Sequence, residues 1–268
     1  MGSGYELTIL DVTDPVHPQR KGFAVLPGLV TKIAVDGRFA YVTWVHIDPI
    51  TSSQTAAGLQ IIDVSDPSTP SEVGHFFVGP GFSCCPIDLG VAVNGNYVYM
   101  ADLQGQLLIL DASNPTAPTQ VGLYTLPGYA HDIVIQGQYA YVADGEGLRV
   151  VDLSNPVAPS ETGFYAASGP AINVALAGHR AYLSTEEKGL WIVDVSDPSA
   201  PVEVGFYSRP STFGYVMSAA VAGNYAYVAA SGAGLRVVDI SNPGLPKETG
   251  FYLTPDSAQA AAVGGDFA

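Results

Sequence analysis

"GLRVVDLSNPVAPSETGFY" occupies Gly147 to Tyr165, and "GLRVVDISNPGLPKETGFY" occupies Gly234 to Tyr252. One sentence written almost identically 87 residues apart makes an internal repeat the first question for the fold. Aligned on Asp-x-Ser/Thr-Asn/Asp-Pro-x-x-Pro, the stretch has six copies, beginning at Asp11, Asp63, Asp111, Asp152, Asp194 and Asp239. Each has a Pro four and seven residues on, and a Gly eleven residues on: Gly22, Gly74, Gly122, Gly163, Gly205 and Gly250. The successive spacings are 52, 48, 41, 42 and 45 residues. A period of about 40–50 residues with short β-type runs predicts the four-stranded blades of a propeller.

The strands are legible within one unit. "DIVIQG" and "QYAYVAD" are short runs rich in β-branched and aromatic residues, joined at Gln136-Gly137 as a hairpin. "GLRVVDL" is a third strand and "ETGFY" a fourth. The almost wholly apolar first strand suits burial on both faces, and nothing in the chain shows sustained helical period. In the anchor, the Asp ends the third strand, where its carboxylate can accept backbone N–H groups in an Asx-type turn. Pro then sets φ for the turn and pushes the residue before it out of the α region. Six copies of one acid fit a structural task better than an active site.

"LQIIDVSDP", "LWIVDVSDP" and "LRVVDLSNP" resemble the LVIVD repeat family, bacterial and archaeal propeller repeats of extracellular and cell-envelope proteins. The resemblance runs along essentially the whole chain. It implies an all-β, six-bladed β-propeller of four-stranded antiparallel blades and a binding or scaffold role; it implies no particular chemistry. The chain opens on a third strand, "YELTILDV", and ends on a first strand, "AQAAAVGG", with a second barely begun at Asp266-Phe267-Ala268. The expected closure is therefore one blade built from both chain ends, in a single domain, which removes open sheet edges. "GDFA" breaks off where sister copies continue as "YVA", so the last second strand is clipped, and "MGSG" reads as a vector scar.

Composition narrows function. The net charge is −15, but nine of the 25 acids are anchor residues: the six leading Asp plus Asp14, Asp66 and Asp197. Ten scattered Lys and Arg argue against nucleic acid, while the acidity is compatible with cation binding. No run is long enough to span a bilayer and no signal peptide is present in this chain, so a secreted or envelope location requires a leader outside it. The expected state is a monomer. The two cysteines, Cys84 and Cys85, are adjacent and cannot staple distant segments; they are free thiols or a strained vicinal disulfide.

On a repeat scaffold, function is sought where the copies differ. In a propeller the loops joining second to third strands and fourth to first strands share one face. His17 lies in an anchor turn, His179 in a hairpin turn at the opposite end, and His75 stands where sister copies have Phe or Leu, which reads as a packed or partly packed substitution. His46 and His131 fall on the loop face. His46 and Asp48 lie in the long loop "TWVHIDPITSSQTAAG"; Cys84, Cys85 and Asp88 lie in "GPGFSCCPID"; Tyr129, His131 and Asp132 lie in "LPGYAHDI". The position of Asp132 in the first strand holds Lys32, Gly90, Asn173, Ser218 and Ala260 in the other copies, a mark of specialisation or of drift.

Three readings stay open. His46, Asp48, Asp88, His131 and Asp132 supply ligand types for a divalent ion, zinc-like or calcium. Cys84 or Cys85 with His131 as base and Asp132 as orienter makes a Cys-His-Asp arrangement for cleaving esters, lactones or phosphoesters. The third is a solvated channel mouth that binds a small molecule or protein. Tyr129, and Arg209 and Tyr215 of "SRPSTFGYVMS", are candidates to wall a substrate pocket.

Overall fold

The turn signals punctuate the chain as strands and nothing else. A computed structural model describes residues 2–14, 16–48, 54–78, 89–185, 187–208, 214–264 and 267–268, and among these it holds 23 strands and no helix. Each anchor sits between the third and fourth strands of one antiparallel sheet. The first sheet has β1 (Gly2–Ser3), β2 (Glu6–Asp11) and β3 (Gln19–Val25). The second has β4 (Leu29–Asp36), β5 (Phe39–Ile47), β6 (Gln54–Asp63) and β7 (Ser71–Val78). The third has β8 (Gly90–Asn94), β9 (Tyr97–Ala101), β10 (Gln106–Asp111) and β11 (Thr119–Thr125). The fourth has β12 (Asp132–Gln136), β13 (Tyr139–Ala143), β14 (Gly147–Asp152) and β15 (Ser160–Ala166). The fifth has β16 (Ala171–Ala177), β17 (Arg180–Thr185), β18 (Gly189–Asp194) and β19 (Val202–Ser208). The sixth has β20 (Ser218–Ala222), β21 (Tyr225–Ala229), β22 (Leu235–Asp239) and β23 (Lys247–Tyr252). In each sheet strands that follow in sequence are neighbours, which makes the six sheets the blades of a β-propeller.

The chain divides into two compact units, Met1–Thr125 with Pro156–Ala158, and Leu126–Asn155 with Pro159–Ala268. In the first unit Phe39 and Tyr41 of the second blade pack against Val91, Val93, Val98 and Ala112 of the third. In the second unit Tyr139 and Tyr141 of the fourth blade pack against Val174, Leu176, Ala181 and Val195 of the fifth, and Tyr182 of the fifth against Ala219, Val221, Ala226 and Ile240 of the sixth. In these three interfaces one or two aromatic residues of a second strand enter the same set of aliphatic positions on the following blade.

The anchors fold as expected. All six leading Asp carboxylates accept the N–H two residues on, from Thr13, Ser65, Ser113, Ser154, Ser196 and Ser241, at 2.7–2.9 Å. The pairing of third and fourth strands slips by one residue just before the repeat Gly in every blade, a β-bulge. In every blade but the sixth the bulge brings that Gly against the next anchor turn. A methyl group on Gly22 or Gly74 would lie 2.3 or 2.0 Å from the carbonyl oxygen of Pro67 or Pro115; on Gly163 or Gly205, 2.3 or 1.7 Å from that of Pro198 or Pro243. Only a residue without a Cβ fits there.

One expectation is modified. "AQAAAVGG" carries no named strand: Ala258 makes a single bridge to Ser231, and Gly264 one to Phe267. His75 lies on the outer strand β7, half-exposed, its Nδ1 2.8 Å from Glu72 Oε1 and its ring 4.9 Å from that of Phe77; it packs along the surface of the sheet.

Candidate functional site

Within a blade, the loop from the fourth strand of one repeat to the first strand of the next packs onto the end of the second strand or the loop that follows it. In the second blade a methyl on Gly28 would lie 2.3 Å from the Val45 carbonyl oxygen; in the fourth, one on Gly128 would lie 2.2 Å from that of Asp144. Around this contact the fourth blade gathers its candidates. The His131 N–H donates to the Ala143 carbonyl at 2.8 Å, which aligns the start of β12 against the end of β13. Gly145 has a φ of 80°, and the space beyond its Cα is bounded by His131 Nε2 and the Tyr129 carbonyl. Tyr129, 67% exposed, stands out from this platform.

The other candidates fall in both units. His46, at the end of β5, has its Nδ1 2.7 Å from Thr55 Oγ1, and Asp48 follows just beyond the strand; both belong to the first unit. Tyr129, His131, Asp132 and Tyr215 belong to the second. Cys84, Cys85, Asp88 and Arg209 lie outside the described residues. Among the described residues no group of three or more His, Cys, Asp or Glu side chains gathers in a metal-binding arrangement.

Asp132 has a task that sequence reading missed. It is 7% exposed, and its Oδ2 accepts from Asn173 Nδ2 at 2.5 Å and from the Val174 N–H at 3.2 Å, both on the next blade. Asn173 Oδ1 in turn accepts the Ala219 N–H at 3.1 Å, and Ser218 Oγ the Ala261 N–H at 3.0 Å. In each case the side chain at this repeat position takes the N–H one residue past the same position in the next repeat. The first unit achieves a similar crossing with Thr43, whose Oγ1 donates to the Leu89 carbonyl at 2.9 Å. The mixed occupants of the position look like drift in sequence; in space three of them form a relay of hydrogen bonds from blade to blade.

Behind the Tyr129 platform lies a buried charge network. Asp144 is fully buried; it accepts N–H groups of Glu146 and Gly147 at 3.1 and 3.0 Å, and Arg149 Nε donates to it at 2.5 Å. Arg149, only 4% exposed, also donates to Glu161 at 2.7 Å and to Glu146 at 3.4 Å, and its guanidinium stacks 4.2 Å from the Phe164 ring centre. Burial alone would favour losing its proton; Asp144 and Glu161 more than offset this and raise its pKa. Other blades fill the same two positions differently. Thr185 and Trp191 pair as hydroxyl and indole, with Nε1 donating at 3.2 Å. Ala230 leaves Arg236 with Glu248 at 3.2 Å and its Nε without a partner among the described residues. Asp102, with Leu108 at the repeat position of Arg149, keeps two backbone donors, from Gln104 and Gln106, and has no partner for Oδ2 among the described residues; burial raises its pKa.

Comparison with known proteins agrees with this geometry. A family profile described as LVIVD repeat matches residues 54–78, 89–125, 127–167, 168–209 and 213–254, and the last four spans each enclose one whole blade from first strand to fourth. The crystal structure of a functionally unknown protein from Desulfotomaculum acetoxidans DSM 771 superposes with a TM-score of 0.74 at 14% identity, over 95% of this chain and 80% of that one, a likeness of fold. Comparison with curated proteins yields no match.

Proposed function

Because the chain belongs to the LVIVD repeat family, we propose that it is a binding module, secreted or of the cell envelope, that recognises a small molecule or a protein on the loop surface around Tyr129 and His131. The observation that carries this reading is the combination of an exposed aromatic with a rigid support. Tyr129 projects from a loop seated by Gly128 on Asp144, and Asp144 is locked by Arg149 and two backbone donors. A rigid scaffold presenting an amphipathic ring gives contact area at low entropic cost.

Hydrolysis of an ester, lactone or phosphoester has less support. The Asp132 carboxylate already accepts two hydrogen bonds between blades, and no three-residue ligand group gathers among the described residues. One pair of measurements separates the readings. In nitrogen–proton correlation spectra with a library of aromatic fragments, bound fragments should perturb amides at Tyr129, His131 and Glu146, and Tyr129→Ala should abolish this with the melting temperature unchanged. Turnover of p-nitrophenyl acetate or a phosphotriester that disappears in His131→Ala would overturn the binding-module reading in favour of hydrolysis. Chelator or thiol-alkylator sensitivity would then assign it to metal or cysteine.

A further inference from the structure

Three consecutive blades of the second unit enter their first strands in the same way. Tyr129, Pro170 and Tyr215 each stand three residues before Asp132, Asn173 and Ser218, the positions of the blade-to-blade relay. In the fourth and sixth blades one backbone bond seats the entering loop: the His131 N–H donates to the Ala143 carbonyl at 2.8 Å, and the Met217 N–H to that of Ala229 at 2.9 Å. The relay ties Asp132 to Asn173 and Asn173 to Ala219, which holds the three loops in fixed relation to one another. All three tip residues are exposed, Tyr129 by 67% and Tyr215 by 42%.

A second residue accompanies each tip, and here the blades differ. Glu146 and Lys188 immediately precede Gly147 and Gly189, which open the third strands β14 and β18. A methyl on Gly128, beside Tyr129, would lie 3.4 Å from Glu146 Cγ; one on Gly169, beside Pro170, would lie 3.3 Å from Lys188 Cγ. Both charged residues are exposed, and the same position in the sixth blade holds Ala233. Arg149 serves Asp144 and Glu161 at 2.5 and 2.7 Å and reaches Glu146 only at 3.4 Å, so one cation faces three carboxylates in the fourth blade. From the fourth blade to the sixth the surface reads aromatic with acid, proline with base, and aromatic with neither.

We infer that this arc binds an extended segment of a partner protein that carries a basic side chain, an acidic one about three residues on, and an apolar one about three further. The inference rests on the binding-module reading and narrows its ligand to a peptide. The spacing comes from the sheets: neighbouring sheets pack about 10 Å apart, and an extended chain advances about 3.3 Å per residue. The basic side chain lies over the Tyr129 ring with Glu146 as its counter-charge. The acidic one meets Lys188 beside Pro170, and the apolar one covers Tyr215. Opposite charges on adjacent blades set the register and the direction of the segment.

The probe is a fluorescein-labelled synthetic peptide about seven residues long, with Arg first, Glu in the middle, Leu last and Ser elsewhere, added to the whole chain. A control peptide exchanges the Arg and the Glu and so keeps composition and net charge. Anisotropy should show saturable binding of the first peptide with a Kd below about 1 mM, and binding of the control weaker by at least about fivefold. Tyr215→Ala, two blades from Tyr129, should weaken the first peptide about three- to tenfold. Lys188→Glu, outside the Arg149 network, should remove the preference between the peptides, and Glu146→Lys added to it should reverse the preference. Melting temperatures check that each variant keeps its fold, and Lys188→Glu alone decides if the double variant does not. Equal binding of the two peptides to the native chain, no effect of Tyr215→Ala, or a preference that survives Lys188→Glu would overturn the inference. Should aromatic fragments still perturb the Tyr129 amide in that event, the binding-module reading stands and only the peptide is excluded; should neither fragments nor peptides bind, both fall.

Discussion

Asp102 and Asp144 follow the second strands of consecutive repeats, in "YMADLQGQL" and "YVADGEGLR", and both are fully buried. Asp144 is met by Arg149 and by two backbone donors; Asp102 has the two backbone donors and, at the position of Arg149, Leu108. The sixth blade supplies the complement, Arg236 with Ala230 where the acid would be. One pair of positions thus appears as acid with base, acid alone and base alone. The backbone turn around the acid tolerates all three, because its N–H groups satisfy one carboxylate oxygen wherever there is one. The partner decides only what the second oxygen experiences.

The largest expected effect comes from removing the base where both are present. Arg149→Leu leaves Asp144 buried and uncompensated and should cost about 3–5 kcal/mol in urea unfolding. A loss no greater than that of Arg236→Leu would break the contrast, since Arg236 gives up a pair with Glu248 and a stacking contact with Phe251 but leaves no fully buried acid behind. Next, Ala230→Asp should recreate the fourth-blade pair in the sixth blade. It should be tolerated in the native background and cost about 1–3 kcal/mol more when Arg236 is already Leu, as a double-mutant cycle would measure.

Asp102→Asn should stabilise the protein by about 1 kcal/mol at neutral pH, because it removes a buried charge that no cation meets. Its pH dependence follows from the raised pKa. The folded state holds the proton to higher pH than the unfolded one. The favourable contribution is fully present below about pH 4, the usual range for an unfolded Asp, and is lost as pH rises through the folded value. The advantage of Asp102→Asn should therefore grow with pH above about 4 and vanish below it. Thermal melts across that range check this.

The smallest effect has the opposite sign. Asp63 is held at about 2 by the Ser65 hydroxyl and N–H and by Arg38. It contributes stability above about pH 4 that is lost as pH falls through about 2, and Asp63→Asn should flatten the acid limb of the melting curve in that window.

These contrasts also mark what the sequence could reveal. The anchor turns were legible because every interaction in them is local: an Asp reaches an N–H two residues away, and Pro acts on its own φ. The hairpins and the phase of the blades followed from period-two patterning. The inter-blade hydrogen bonds of Asp132 are not legible in the sequence because its partners, Asn173 and Val174, lie a full repeat away, beyond the reach of any local pattern. A comparison of the six occupants as donors and acceptors, rather than as departures from a consensus, would have suggested the relay. The Asp144–Arg149 pair was overlooked for a related reason: nothing in "DGEGLR" says that its acid and base are buried. The proposed joining of His46 and His131 needed geometry that no spacing between separate loops supplies.

The Gly–Pro contact between successive blades has an evolutionary consequence. Each repeat carries a socket, the bare Cα of its last strand, and a plug, the proline carbonyl of its turn, so a duplicated gene segment arrives with both halves of the coupling already matched. A methyl group on Gly250 would meet only the Val237 side chain, at 4.0 Å, among the described residues. Lineages built this way can lengthen or shorten by whole units with no compensating mutations at the joints, whereas a single side chain gained at one of these glycines would uncouple two units at once.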